Sequence, residues 1–142
     1  MELIYFDTAH AIEVHDSIIL KSEGLLGILN IGLLESTLVH IQNDMYYPEF
    51  EDKATHLFHS INKNHSFKDG NKRASIALTA YFFEINGFDD RVSIFMERME
   101  NIAVHVADNK IDKDLLHEII QSIIYEADYS EELKLKIYNA LT

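Results

Sequence analysis

Apolar residues are distributed along this chain in helical rather than strand patterns, and one block is apolar on every side. Ala74, Ile76, Ala77, Leu78, Ala80, Tyr81, Phe82, Phe83 and Ile85 cover all faces of a helix running from about residue 71 to 86. A helix of that kind sits among other helices rather than on a surface, and Gly87 is a natural stop. Around it the pattern predicts a helix over 8–22 with Asp7 or Thr8 as N-cap, one over 33–43, and one over 51–64 with acids in its first turn. Ser93 can cap a helix to about Asn109, Asp112 one to about Ala127, and Ser130 a last short one, "EELKLKIYNAL". The stretch "EGLLGILNIG" holds three of the five glycines and reads as a loop. "DMYYPEF" carries the only proline and two tyrosines and reads as extended, a flap or short hairpin. No convincing set of strands, linker or repeat interrupts this. The expected fold is all-α: one domain over 1–142, a bundle of six or seven helices around the central 71–86 helix, with a short extended flap.

Composition narrows the function classes. The chain has 142 residues, 47% of them apolar, enough for a core. Its 24 acidic and 12 basic side chains give a net charge of −12, which argues against direct binding to nucleic acid or membrane, whose phosphates would repel it. There is no cysteine, which excludes disulfides, thiolate chemistry and cysteine-ligated zinc. "MELIYFDTAH" lacks the basic and apolar regions of a signal peptide, and no run approaches a membrane span. A cytoplasmic location is expected.

Against this acidic background, "NHSFKDGNKRAS" stands out. Residues 61–73 hold Lys63, Lys68, Lys72 and Arg73 against Asp69 alone, a local charge of +3. The stretch opens the central helix, whose first N–H groups lack partners and whose dipole is positive there. Gly70 lets an anion approach the backbone, and Lys72 and Arg73 add full charges. Together these predict an anion site, most naturally for phosphate. Asp69 would repel a phosphate unless a Mg²⁺ lay between them. His65 has a pKa suited to accepting a proton near neutrality. Base, metal carboxylate and phosphate nest are the parts of an enzyme that moves a phosphorus group onto a hydroxyl. A capped helix start with solvated charges would produce a similar pattern.

"HSFKDGNKR" resembles the Fic/Doc family signature H-x-F-x-[D/E/N]-[G/A]-N-x-R at every fixed position. "EVHDSIILKSEGLLGILNIGLLESTLVH" is similar to the N-terminal part of Doc (death-on-curing) toxins, so the resemblance covers roughly residues 10–90. It implies the all-helical Fic fold and a role for each motif residue: His65 as general base, Phe67 as core anchor, Asp69 as the Mg²⁺ ligand, Gly70 and Asn71 as the phosphate nest, and Lys72 and Arg73 as phosphate neutralisers. Family members that transfer AMP have Gly after the Asn and a second Arg three residues beyond the first. Lys72 and Ile76 stand there in this chain, as in Doc. The resemblance thus implies a toxin of a type II toxin–antitoxin system, an ATP-dependent kinase of a protein hydroxyl. Its target would be translation elongation factor Tu, with arrest of translation. Gly70 is the Fic-type residue where Doc has Ala, so adenylyl transfer (AMPylation) is the alternative. A catalytically degenerate nucleotide- or protein-binding module is a further one.

Tyr46, Tyr47 and Pro48 fall where the family has its target-docking flap, and an ordinary loop with packed tyrosines carries equal weight. The family's inhibitory motif, [S/T]-x-x-x-E-[G/N], has no complete copy. Ser122 to Ala127 matches its spacing but ends in Ala, so Glu126 is read as ordinary helix surface and restraint by a separate small antitoxin is expected. His56 and His59 form a surface or core pair rather than a zinc site, and His15 a structural residue.

Overall fold

The computed structural model describes residues 2–22, 27, 30–64, 66, 67 and 69–142. Seven α-helices lie among them: α1 (Thr8–Ser22), α2 (Ile31–His40), α3 (Phe50–Lys63), α4 (Asn71–Ile85), α5 (Val92–Ala107), α6 (Lys113–Tyr125) and α7 (Glu131–Leu141), with a 3₁₀ turn at Asp89–Arg91 before α5. The all-α bundle anticipated from the pattern is the fold. Most boundaries fall within two residues of expectation, because the capping chemistry is local. The Asp7 carboxylate accepts from His10 N–H at 2.9 Å, Asp112 from Leu115 N–H at 2.8 Å, and the Ser130 hydroxyl from Leu133 N–H at 3.1 Å.

The centre is shared. α4 packs against α1, α3 and α5, as its all-round apolarity predicted, and α3 packs against α2, α4, α5 and α6. Aromatic rings join these helices to each other and to their neighbours: Phe50 of α3 stacks on Phe82 of α4 at 4.9 Å and on Phe88, beyond the end of α4, at 4.6 Å, and Phe83 of α4 meets Phe95 of α5 at 4.5 Å. Such pairs contribute about 0.5–1.5 kcal/mol each beyond the area they bury. The N-terminal segment is tied to the end of α4 through Asn86, whose side chain accepts from Ile4 N–H at 2.7 Å and donates to Ile4 O at 2.9 Å.

Three expectations differ from the structure. Ser93 does not cap α5: the 3₁₀ turn carries the chain into the helix early, Arg91 occupies the N-cap without a side-chain bond, and Ser93 is an exposed helical residue. The Arg91 guanidinium instead donates to Ile123 O at 2.6 Å and Glu126 O at 2.9 Å, closing the end of α6. The loop predicted over 23–32 lies largely outside the described residues, but its last part is helical. α2 begins at Ile31 because Asn30 caps it, accepting from Leu33 N–H at 3.0 Å. The segment expected to extend as a flap is wound into turns over residues 44–46. The Asn43 side chain causes this by accepting from Met45 N–H at 2.9 Å and Tyr46 N–H at 3.2 Å.

Candidate active site

The motif loop joins α3 to α4. His65 and Lys68 lie outside the described residues; the rest of the loop is built from its own polar groups. Phe67 is fully buried. Asn71, the first residue of α4, turns its side chain back into the loop: its carbonyl accepts from Phe67 N–H at 3.2 Å and its amide donates to Phe67 O at 2.9 Å. That side chain closes the loop rather than reaching for a ligand, so Asn71 has only its backbone N–H to offer a phosphate.

Gly70 is the N-cap of α4 in the left-handed region, φ 75° and ψ 19°. A Cβ there would stand 2.6 Å from Ile19 Cδ1 and 3.5 Å from His15 Nε2, so both the conformation and the approach of α1 require glycine. The first helical hydrogen bond of α4 is Ala74 N–H to Gly70 O at 2.8 Å. The N–H groups of Asn71, Lys72 and Arg73 therefore precede it, with no partner among the described residues. Lys72 and Arg73 are exposed. An N-terminus with open N–H groups, a glycine at its mouth and two adjacent cations can hold an oxyanion.

Asp69 stands beside this mouth, half-exposed, with Oδ1 accepting from Gly70 N–H at 2.8 Å. Among the described residues no group of three or more His, Asp or Glu side chains could hold a metal unaided. One carboxylate suits Mg²⁺ only when phosphate oxygens supply other ligands, its usual arrangement at nucleotide sites.

The structure brings against this loop a residue expected from the sequence only to be structural. His15 of α1 is fully buried, its ring lies 3.8 Å from that of Phe67 at 6°, and its Nε2 is 2.6 Å from Asp69 O. Arg73 has a second setting. It lines an open groove of about 580 Å³ between α1, α4 and α5, together with apolar Ile18, Ile76, Ala77 and Met96 and acidic Glu97 and Glu100.

The wound flap segment is anchored at both ends. The fully buried Lys53 donates from Nζ to Ile41 O and to Asp44 Oδ1, both at 2.7 Å. The Tyr47 hydroxyl lies 3.1 Å from His56 Nδ1, with the two rings stacked at 4.5 Å, while Tyr46 and Pro48 are exposed. Lys113 Nζ sits 3.0 Å from the same His56 nitrogen. Desolvation, reinforced by the Lys113 charge, holds the His56 pKa down at about 4. Desolvation also lowers those of His59 and Lys113. Glu126 is exposed just beyond the end of α6.

Comparison with known proteins agrees with this construction. The Fic/DOC family model matches residues 5–83, from the segment before α1 through most of α4. A protein named Toxin Doc, from Mycolicibacterium smegmatis, is 34% identical over 95 residues, covering 64% of this chain and 73% of that relative. The family match spans more than half of the sequence and contains the whole anion loop with the helix that packs beneath it: the chain belongs to the Fic/DOC family.

Proposed function

We propose that this protein is a Doc-type toxin, a Mg²⁺- and nucleotide-dependent transferase that phosphorylates a hydroxyl of a protein target and is neutralised by a small antitoxin. The observation that carries this reading is the N-terminus of α4, where the N–H groups of Asn71, Lys72 and Arg73 have no partner among the described residues and the Lys72 and Arg73 side chains add charge. Residues in that arrangement bind and orient a nucleotide's phosphates. Asp69 would hold Mg²⁺, which when bound neutralises phosphate charge. His65 would take the proton of the attacking hydroxyl, and the flap of Tyr46, Tyr47 and Pro48 would dock the target. By the resemblance to Doc, that target is elongation factor Tu and the consequence is arrested translation.

Kinase chemistry is favoured over adenylyl transfer by position 76. AMP-transferring relatives carry their second arginine there, whereas Ile76 lines the apolar part of the groove. Gly70, the Fic-type residue, favours the second reading, adenylyl transfer. The antitoxin assignment is supported by that groove, whose apolar lining and acidic Glu97 and Glu100 suit an apolar segment bearing basic residues. The relative named Toxin Doc points the same way.

ATP labelled separately at the α and γ positions, incubated with the protein and a bacterial extract, tests the reaction. Protein label from the γ position alone is expected. Label from the α position alone would replace the kinase by the adenylyltransferase, and label from neither would leave a binding module.

A further inference from the structure

The contact between α1 and the motif loop decides which way one peptide faces. The Asp69–Gly70 peptide is trans, as are all the described bonds, so its C=O and N–H point to opposite sides. Its carbonyl is aimed at His15 Nε2, 2.6 Å away. A carbonyl only accepts, so Nε2 carries the hydrogen. With the carbonyl held on the α1 side, the Gly70 N–H is turned away from α1, where it donates to Asp69 Oδ1 at 2.8 Å. One bond thus fixes the direction of the Gly70 N–H and, through it, the carboxylate that stands beside the anion site. Glycine makes the alternative accessible, since a peptide preceding a residue free to take either sign of φ can flip. A flip would bury the N–H against α1 and withdraw the donor from Asp69.

The surroundings of His15 allow it little freedom. It is fully buried, its ring is flat against Phe67, and its Nδ1 faces Asp16 Oδ1 at 3.2 Å. Ile19, one turn along α1, fills the place where a side chain at residue 70 would stand. We propose that His15 is the positioning residue of the anion site: its Nε2–H holds the Asp69–Gly70 peptide in the orientation that presents the loop to a phosphate oxyanion. This rests on the phosphate-handling role proposed above, and its test separates the two.

His15→Gln and His15→Met have nearly the same shape and both lose the ring stack, but only Gln keeps a donor. Binding of pyrophosphate and of ADP with Mg²⁺ is measured by calorimetry, and amide hydrogen exchange is followed at Gly70 and, as a reference, in α6. The Met variant is expected to bind about tenfold more weakly than the Gln variant, the scale of one lost hydrogen bond. Its Gly70 amide should exchange faster while the α6 amides stay unchanged. Equal exchange at Gly70 in both variants would overturn the proposal, whatever the binding. Absence of binding by the wild type would sink the phosphate-handling reading, and the Gly70 exchange would then still decide the role of His15. Should both variants fail to fold, His15→Phe keeps the flat ring without the donor: faster Gly70 exchange than in the wild type supports the positioning role, and unchanged exchange overturns it.

Discussion

Replacing Gly70 by alanine should cost stability through two separable routes, and the structure gives the size of each. The left-handed conformation at φ 75° penalises a Cβ by about 1–2 kcal/mol, offset by up to about 1 kcal/mol because alanine also restricts the unfolded chain. The new methyl would lie 2.6 Å from Ile19 Cδ1. Ile19 is itself buried at 1% exposure, so it cannot swing into solvent, and crowding of this kind costs about 1–3 kcal/mol. A net loss of about 2–4 kcal/mol follows, which for a chain of this length lowers the melting midpoint by roughly 5–12 °C. The crowding part should be recoverable. Ile19→Val removes the offending Cδ1 and alone costs about 0.5–1.5 kcal/mol. Combined with Gly70→Ala it should be less damaging than the sum, by about 1–2 kcal/mol of coupling. Chemical denaturation of the four proteins measures the cycle. An unchanged midpoint for Gly70→Ala, or strict additivity in the double variant, would refute the claim that α1 seats directly on the glycine.

Further substitutions probe the chemistry and the supports. His65→Ala should lower transfer by about 10²–10⁴-fold with nucleotide binding nearly intact, the loss typical of a positioned acid–base group; a fully active variant in the labelled-ATP assay would contradict the mechanism. Asp69→Ala should abolish the Mg²⁺ dependence together with activity, seen by titrating Mg²⁺ in the same assay. Lys53→Met should cost about 1–3 kcal/mol, because Ile41 O loses its buried partner while the exposed Asp44 is rehydrated; thermal melts check it. His56 should make stability depend on pH. Its folded pKa of about 4 lies below the ordinary 6.5, so the unfolded chain binds the proton first as the solution is acidified. Its stabilising share is complete above pH 6.5 and lost as the pH falls from there to about 4. The full shift corresponds to about 3.4 kcal/mol, and partial exposure of the ring reduces it to roughly 1–2 kcal/mol. The groups facing it are Tyr47, His40, His59 and Lys113. His56→Gln should flatten the difference in unfolding free energy between pH 7 and pH 4.5 by that amount, and an unchanged difference would remove His56 from the account.

What the sequence disclosed about the fold was the part that short-range chemistry determines. Asp112 and Ser130 cap their helices from within three residues, and Gly87 ends α4 with φ 85°. The failures are also local in origin but depend on competition. A serine at position 93 is a good cap in isolation, yet the 3₁₀ turn after Phe88 starts the helix before Ser93 is reached. Tyr46, Tyr47 and Pro48 favour extension by propensity, yet a single asparagine two and three residues upstream of Met45 and Tyr46 accepts their N–H groups and winds the chain. The shared centrality of α3 was hidden because it carries polar residues that are buried with partners. Lys53 and Asn62 read as surface, but one donates to Ile41 O and the other to Ala103 O.

The anion site divides along the same line. That Gly70 opens a helix of high apolarity and is flanked by Lys72 and Arg73 is visible in consecutive residues, and the structure keeps those residues together. That Asn71 turns inward could be suspected only from its place at the first turn, where a side-chain amide can satisfy the loop behind it. The direction of the Asp69 carbonyl could not be suspected at all, because its partner lies 54 residues upstream. A helix start specifies where open N–H groups are, but an anion site also needs the preceding peptide to face the right way, and a glycine at its mouth leaves that orientation free. Something outside the loop must choose it. In this fold the choice falls to α1, which places His15 and Ile19 against the loop and Ile18 in the groove beside it, so one helix contributes both part of the surface where a partner would press and the side chain that holds the peptide aiming the site.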